Sequence, residues 1–142
     1  MLIVERVTVL SNTRIFAGVH DHALMEIAQI VREVAVPAGE TIIHEGADES
    51  WMFILVTGGA RVSVGDVEIA RIGPGDTVGE LALIDPAPRS ASVITSEPSL
   101  LFRIDRAPFR EIMEEQPDVV SALLTMLIRM IRATPRPPSP AG

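Results

Sequence analysis

The chain has the size of one domain: 142 residues, 47% hydrophobic, without cysteine. That composition excludes a disordered chain, a disulfide framework and a thiolate metal site. A formal net charge of −7 with no basic cluster argues against nucleic acid as a partner, because phosphate neutralisation supplies most of that affinity.

From the N-terminus, MLIVERVTVL meets charges at Glu5 and Arg6, so it lacks a long apolar signal core. A short helix is expected over 4–10, followed by a turn at NTRIFAGV. DHALMEIAQIVRE places Leu24, Ile27, Ala28 and Val31 on one helical face, with Asp21 as N-cap. From Val34 the period changes. VAV, TIIH, WMFILVT, ARVSV, VEIARI, SASVIT and LLFRI are short and rich in β-branched residues. The turn chemistry of PAGE, EGADES, GG, GD and GPGD separates them. Such spacing implies a sandwich, roll or barrel. GELALI interrupts it and reads as one to two helical turns.

Helices return at the C-terminus, with Pro108 and Pro117 at expected first helical positions. The second of them, 117–132, has no charge between Asp118 and Arg129. Its VVSALLTMLI run is apolar nearly all round, so it must cover a ligand, a partner chain or both as well as the roll. The uncharged run 119–128 is too short to cross a bilayer, and the expected location is the cytoplasm. ATPRPPSPAG, 133–142, reads as a Pro-rich disordered tail, which leaves 1–132 as the folded domain. There is no internal repeat.

The stretch GELALIDPAPRSA carries the chemistry. A helix start offers unpaired N–H groups and a partial positive charge, and Gly79 lets a ligand approach the backbone. The amides of Leu81 and Ala82 would point at an anion, Arg89 would return with a planar fork of donors, and Ser90 and the amide after it would add two more. At about 4 Å and an effective dielectric of ~20, one charge pair is worth roughly 4 kcal/mol, enough to hold an anion on an acidic protein. Glu80 would repel a phosphate unless it accepts hydrogen bonds from a neutral part of the ligand. A sugar hydroxyl beside the phosphate meets that need, and a nucleotide follows.

PGDTVGELALIDPAPRSASV closely resembles the phosphate-binding cassette of cyclic nucleotide-binding domains, found in the catabolite activator protein, cyclic AMP-dependent kinase regulatory subunits and cyclic nucleotide-gated channels. The resemblance runs from Ile15 to about Arg132. IFAGV is similar to the family's lead-in, VPAGETIIHEGADES to its first strands and turn, FILVTGGARVSV to its strand, glycine turn and strand, and FREIMEEQPDVVSALLTMLIRMI to its closing helices. The resemblance implies an eight-stranded β-roll, mainly β, with N-terminal and two C-terminal helices. It implies that Glu80 holds the ribose 2′-hydroxyl and Arg89 the cyclic phosphate. Gly79, Leu81, Ala82, Ser90 and Ala91 complete the cage, and the last helix closes over the base. Two positions depart from the pattern: Pro86 stands where the family often has a glycine, and Val78 where it usually has an aromatic residue.

Other features have plainer readings. His20 and His22, with Asp21, Glu26 and the distant His44, suggest surface and capping roles rather than a metal. TMLIRM suggests core or dimer interface, Arg129 and Arg132 helix-end cations, and Trp51 strand packing. Ser90 has no general base nearby in sequence, so a binding module is expected rather than an enzyme, with no cofactor and no metal. The expected ligand is cyclic AMP, since serine after the arginine goes more often with cyclic AMP in the family and threonine with cyclic GMP. The expected partners are that nucleotide, an unknown effector and a second copy through the last helix, with no membrane. Because no recognition helix follows Arg132, DNA binding by this chain alone is not expected. The alternatives are a degenerate roll serving structure or dimerisation, and a regulatory fragment of a larger kinase, channel or transporter.

Overall fold

The computed structural model describes residues 1–133; the expected Pro-rich tail lies, from residue 134 onward, outside the described residues. Helix α1 (Ile3–Ser11) and helix α2 (Asp21–Ile30) pack together ahead of the strands. The N-cap of α2 is His20, one residue before the expected Asp21. His20 holds the extended conformation a cap requires, and its ring Nδ1 accepts from the Ala23 amide at 3.4 Å. Asp21 instead opens the helix, where a carboxylate also complements the dipole.

Strand β1 (Arg32–Val36) begins two residues earlier than the change of period suggests, because residues 32–36 pair along their whole length with β8 (Ser99–Asp105). β2 (Thr41–Ile43), β3 (Trp51–Thr57), β4 (Ala60–Val64), β5 (Val67–Ile72), β6 (Thr77–Val78) and β7 (Ser92–Thr95) complete two antiparallel four-stranded sheets. Their orders are β1-β8-β3-β6 and β2-β7-β4-β5. Gly58 turns β3 into β4 at a φ of +100°, and a Cβ there would stand 2.2 Å from Ser99 Oγ, so only glycine fits.

β3 and β8 are covered on both sides, which is why they read as nearly continuous apolar runs. Met52, Ile54, Phe102 and Ile104 face the helices, where they join Phe16, Leu24, Ile27, Phe109, Val119 and Leu123. The intervening Phe53, Leu55 and Leu101 face the roll interior with Ile42, Ile43, Ala60 and Val93. β6 was not anticipated, since two residues carry no period. It pairs Phe53 with Val78 and Ile54 with Thr77, and so delivers the chain at a fixed place just before Gly79.

Helix α3 (Arg106–Glu115) starts two residues before Pro108. The proline is therefore its third residue, still within the turn whose amides lack intrahelical acceptors. Helix α4 (Pro117–Ala133) does start at Pro117. It buries Val119, Leu123 and Met126, while Val120, Leu124, Ile128 and Ile131 on the other side are exposed.

Candidate functional site

GELALI forms a single 3₁₀ turn, Glu80–Leu83, capped by Gly79 at a φ of +76°. A side chain at residue 79 is barred twice: the backbone is left-handed, and a Cβ would lie 2.6 Å from Arg89 Nη1 and 3.0 Å from Ile43 Cδ1. The close approach that demands glycine is thus made by the arginine of the same motif. Leu83 inserts into the helical cluster, and the Ala82 and Ile84 carbonyls accept from Arg106 and Arg110 of α3. The turn is anchored to the helices from behind and faces a cavity in front.

That cavity has a volume of about 430 Å³. Gly79, Glu80, Leu81, Ala82, Arg89, Ser90 and Ala91 all line it, together with Ile43 and Val93 of the roll interior and Met130 of α4. The structure therefore brings together every site residue read from GELALIDPAPRSA. Arg129 and Arg132 are exposed, and the cavity is reached from α4 by the methionine between them.

Arg89 is 7% exposed. Its Nε donates to Glu49 Oε1 at 3.0 Å, Nη1 to the Gly79 carbonyl at 3.3 Å and Nη2 to the Trp51 carbonyl. Its backbone is clamped as well, with Arg89 N donating to Ala47 O (2.9 Å) and Gly46 N to Arg89 O (2.8 Å). A guanidinium has five N–H donors. Three are engaged here, so two remain for an acceptor in the cavity. The carboxylate that pairs with Arg89 is Glu49 rather than the neighbouring Glu80 of the same motif.

The two acids respond oppositely. Burial pushes the Glu49 carboxyl up, but hydrogen bonds from the His44 ring, the His44 amide and Arg89 outweigh it, and the net shift is downward. Glu80 is pushed up by burial, which its own amide, the Thr77 hydroxyl and the Arg89 charge only partly offset. Glu80 is thus a half-buried acceptor short of donors, whereas Glu49 is a saturated counter-ion. Sequence reasoning missed Glu49. It lies forty residues from Arg89 in the acid-rich turn EGADES, and its only signal was an acid beside the start of β3.

His20 pairs with Asp118 (3.1 Å) and His22 with Glu26 (3.6 Å), in line with capping and surface roles. Trp51 packs under Arg103, whose Cζ lies 4.1 Å from the ring centroid.

A two-sheet roll with a helical cover, and a buried arginine presented to a cavity beside a glycine-capped turn, defines a domain that binds an anionic small molecule. The model of the cyclic nucleotide-binding domain matches residues 33–116, and the chain belongs to that family. It is 36% identical over 127 residues to the Pycsar effector protein XpPycTIR of Xanthomonas perforans, a match covering 83% of this chain and 42% of that protein. It is 32% identical over 103 residues to the cAMP-dependent protein kinase regulatory subunit of Yarrowia lipolytica, covering 72% of this chain and 28% of that one. The solved structure of the N-terminal domain of a transcriptional regulator from Streptomyces coelicolor A3(2) superposes with a TM-score of 0.78 at 26% identity, over 87% of this chain and 90% of that chain. The chain spans less than half the length of these two curated relatives.

Proposed function

We propose that this domain is a cyclic nucleotide sensor whose ligand is cyclic AMP. The reading is carried by one observation: a buried guanidinium with two N–H groups to spare lines the same cavity as a carboxylate short of donors. Arg89, Ser90 and the amides around Gly79, Leu81, Ala82 and Ala91 grip the cyclic phosphate, and Glu80 accepts from the ribose 2′-hydroxyl. The Ala82 amide donates to Gly79 O at 3.1 Å, so a phosphate that takes this amide must compete with that bond. The volume suits a small ligand. The kinase regulatory relative is named for cAMP dependence, and Ser90 after the arginine leans the same way.

Binding is regulatory, in keeping with relatives named as a kinase regulatory subunit and a transcriptional regulator. The signal leaves through the back of the 3₁₀ turn, where Leu83 and Arg106 connect it to the helices, and through Met130 on α4. It requires a ligand that prefers one arrangement of these helices over the other. Among the described residues no helix is long and apolar enough to cross a membrane, and we place the sensor in the cytoplasm. The greater length of the relatives favours a regulatory segment read by an effector domain, and the length of the native reading frame tests that. The exposed face Val120, Leu124, Ile128 and Ile131 favours a homodimer through α4. A strictly monomeric mass by light scattering, with and without nucleotide, rejects it.

Calorimetry with cyclic AMP and cyclic GMP, on wild type and Arg89→Ala, tests the central reading. Cyclic AMP binds more tightly, and Arg89→Ala loses about 2–5 kcal/mol of affinity. No heat, no thermal shift and no displacement of a fluorescent analogue would leave a non-binding structural roll instead.

A further inference from the structure

Behind Arg89, the Glu49 carboxylate serves two side chains at once. Its Oε1 accepts from Arg89 Nε (3.0 Å) and from the His44 amide (3.2 Å), while Oε2 contacts His44 Nδ1 (2.9 Å). The three groups form a line from the cavity to bulk water: the Arg89 side chain is 5% exposed, Glu49 8% and His44 59%. A neutral imidazole with its proton on Nδ1 can keep the bond to Glu49, and protonation adds a charge without needing to move the ring. The far end of the line can therefore change charge while the geometry holds. Glu49 competes with any incoming anion for Arg89, and an imidazolium on Oε2 weakens that competition.

We propose that His44 is a positioning residue for the anion site: acting through Glu49, it sets how firmly Arg89 is held, and its protonation tightens cyclic nucleotide binding. The inference rests on the cyclic nucleotide reading of the cavity. By linkage the reverse also holds, so bound nucleotide raises the proton affinity of His44.

Other charged groups surround the line. Arg103 of β8 and Arg89 both lie against the Trp51 ring, at 4.1 and 6.0 Å from its centroid, and Glu80 is within electrostatic reach of Arg89. Glu45 and Asp48 flank it in the same turn, with Glu45 Oε1 taken by the Gly65 amide at 2.8 Å. Protonation of Glu80 on acidification also relieves the field on the phosphate, so the diagnostic quantity is the difference between wild type and a His44 variant.

Affinity for cyclic AMP would be measured from pH 5.5 to 8 for wild type, His44→Gln and Glu49→Gln. Wild type should bind roughly three- to ten-fold more tightly at the acid end of that range. His44→Gln keeps a donor but no titrating charge and should flatten that step. Glu49→Gln should flatten it too, whereas a direct pull of the imidazolium on the phosphate would survive and defeat the proposed route. A second readout needs no ligand: the Arg89 Nε–H resonance by ¹⁵N NMR should shift with pH in wild type, and the His44 step should be missing in His44→Gln. An equal affinity step in His44→Gln, or an Arg89 resonance unmoved by pH in wild type, overturns the inference. If wild type binds no cyclic nucleotide, the functional reading falls, while the NMR titration still decides whether His44 governs Arg89.

Discussion

On one side of β3 and β8, Met52, Ile54, Phe102 and Ile104 meet the helices and are almost fully enclosed. On the other side of the same strands, Phe53, Leu55 and Leu101 belong to a much smaller cluster, whose Ile43 and Val93 also line the cavity. Backbone and strand propensity are shared, so the difference lies in what each face covers. The helical side is packed for stability, and the roll side leaves room for a ligand. Buried apolar surface stabilises in proportion to the water it excludes, and a wall that borders an open cavity excludes less of it. The 3₁₀ turn joins the two regions, with Glu80 and Leu81 at the cavity and Leu83 among the helices.

The sharpest way to break this contrast uses two phenylalanines on opposite faces. Phe102→Ala should cost about 3–5 kcal/mol in urea unfolding, the usual range for emptying a closed core. Phe53→Ala should cost measurably less, and equal costs would mean that the roll interior is as tightly closed as the helical side.

Next in size is Arg89→Ala without ligand, expected to destabilise by about 3 kcal/mol because it leaves Glu49 buried without its guanidinium. Adding Glu49→Gln should restore part of that loss in a double-mutant cycle. Strictly additive effects would deny the pair its structural role.

Gly79→Ala is expected to cost about 1–2 kcal/mol from the left-handed backbone, and to weaken nucleotide binding because the new methyl displaces Arg89. Thermal melts alongside calorimetry would register both effects. A drop in stability with unchanged affinity would detach Gly79 from the arginine.

The smallest effect has the opposite sign. Glu80 has a raised pKa in the folded chain, so folding favours its protonated form. Its stabilising share is fully present below the unfolded carboxylate pKa and is lost as pH rises through the folded one. Near neutral pH the wild type therefore carries a small penalty that Glu80→Gln removes. Melting temperatures from pH 4 to 8 should separate as pH rises, with Glu80→Gln the higher, while its affinity for nucleotide falls. A variant that melts lower at pH 7 would contradict the assigned environment.

Much of this was legible beforehand because the signals are local. Runs such as WMFILVT and LLFRI are β-branched or apolar over a strand's length, and glycines mark the reversals between them. GELALIDPAPRSA is one contiguous stretch, so its residues were bound to be neighbours, and all of them line the cavity. The misses arose where the deciding partner is remote or the signal too short. His20 displaces Asp21 as cap through a backbone conformation that residue type does not reveal. β6 is two residues long and exists through its pairing with β3. α4 read as apolar all round, and packing alone separated its buried stripe from its exposed one.

By itself the sequence determined where most strands and helices fall and which short segment offers donors for an anion, because period, turn chemistry and motif order act over a few residues. Only the tertiary structure decided that Arg89 is held by Glu49 with His44 behind it, that Gly79 is a glycine partly for the arginine's sake, and that Met130 stands at the cavity. Those contacts join residues dozens of positions apart, and only closing the two sheets under the helices brings such groups within the few ångströms at which charge and shape act.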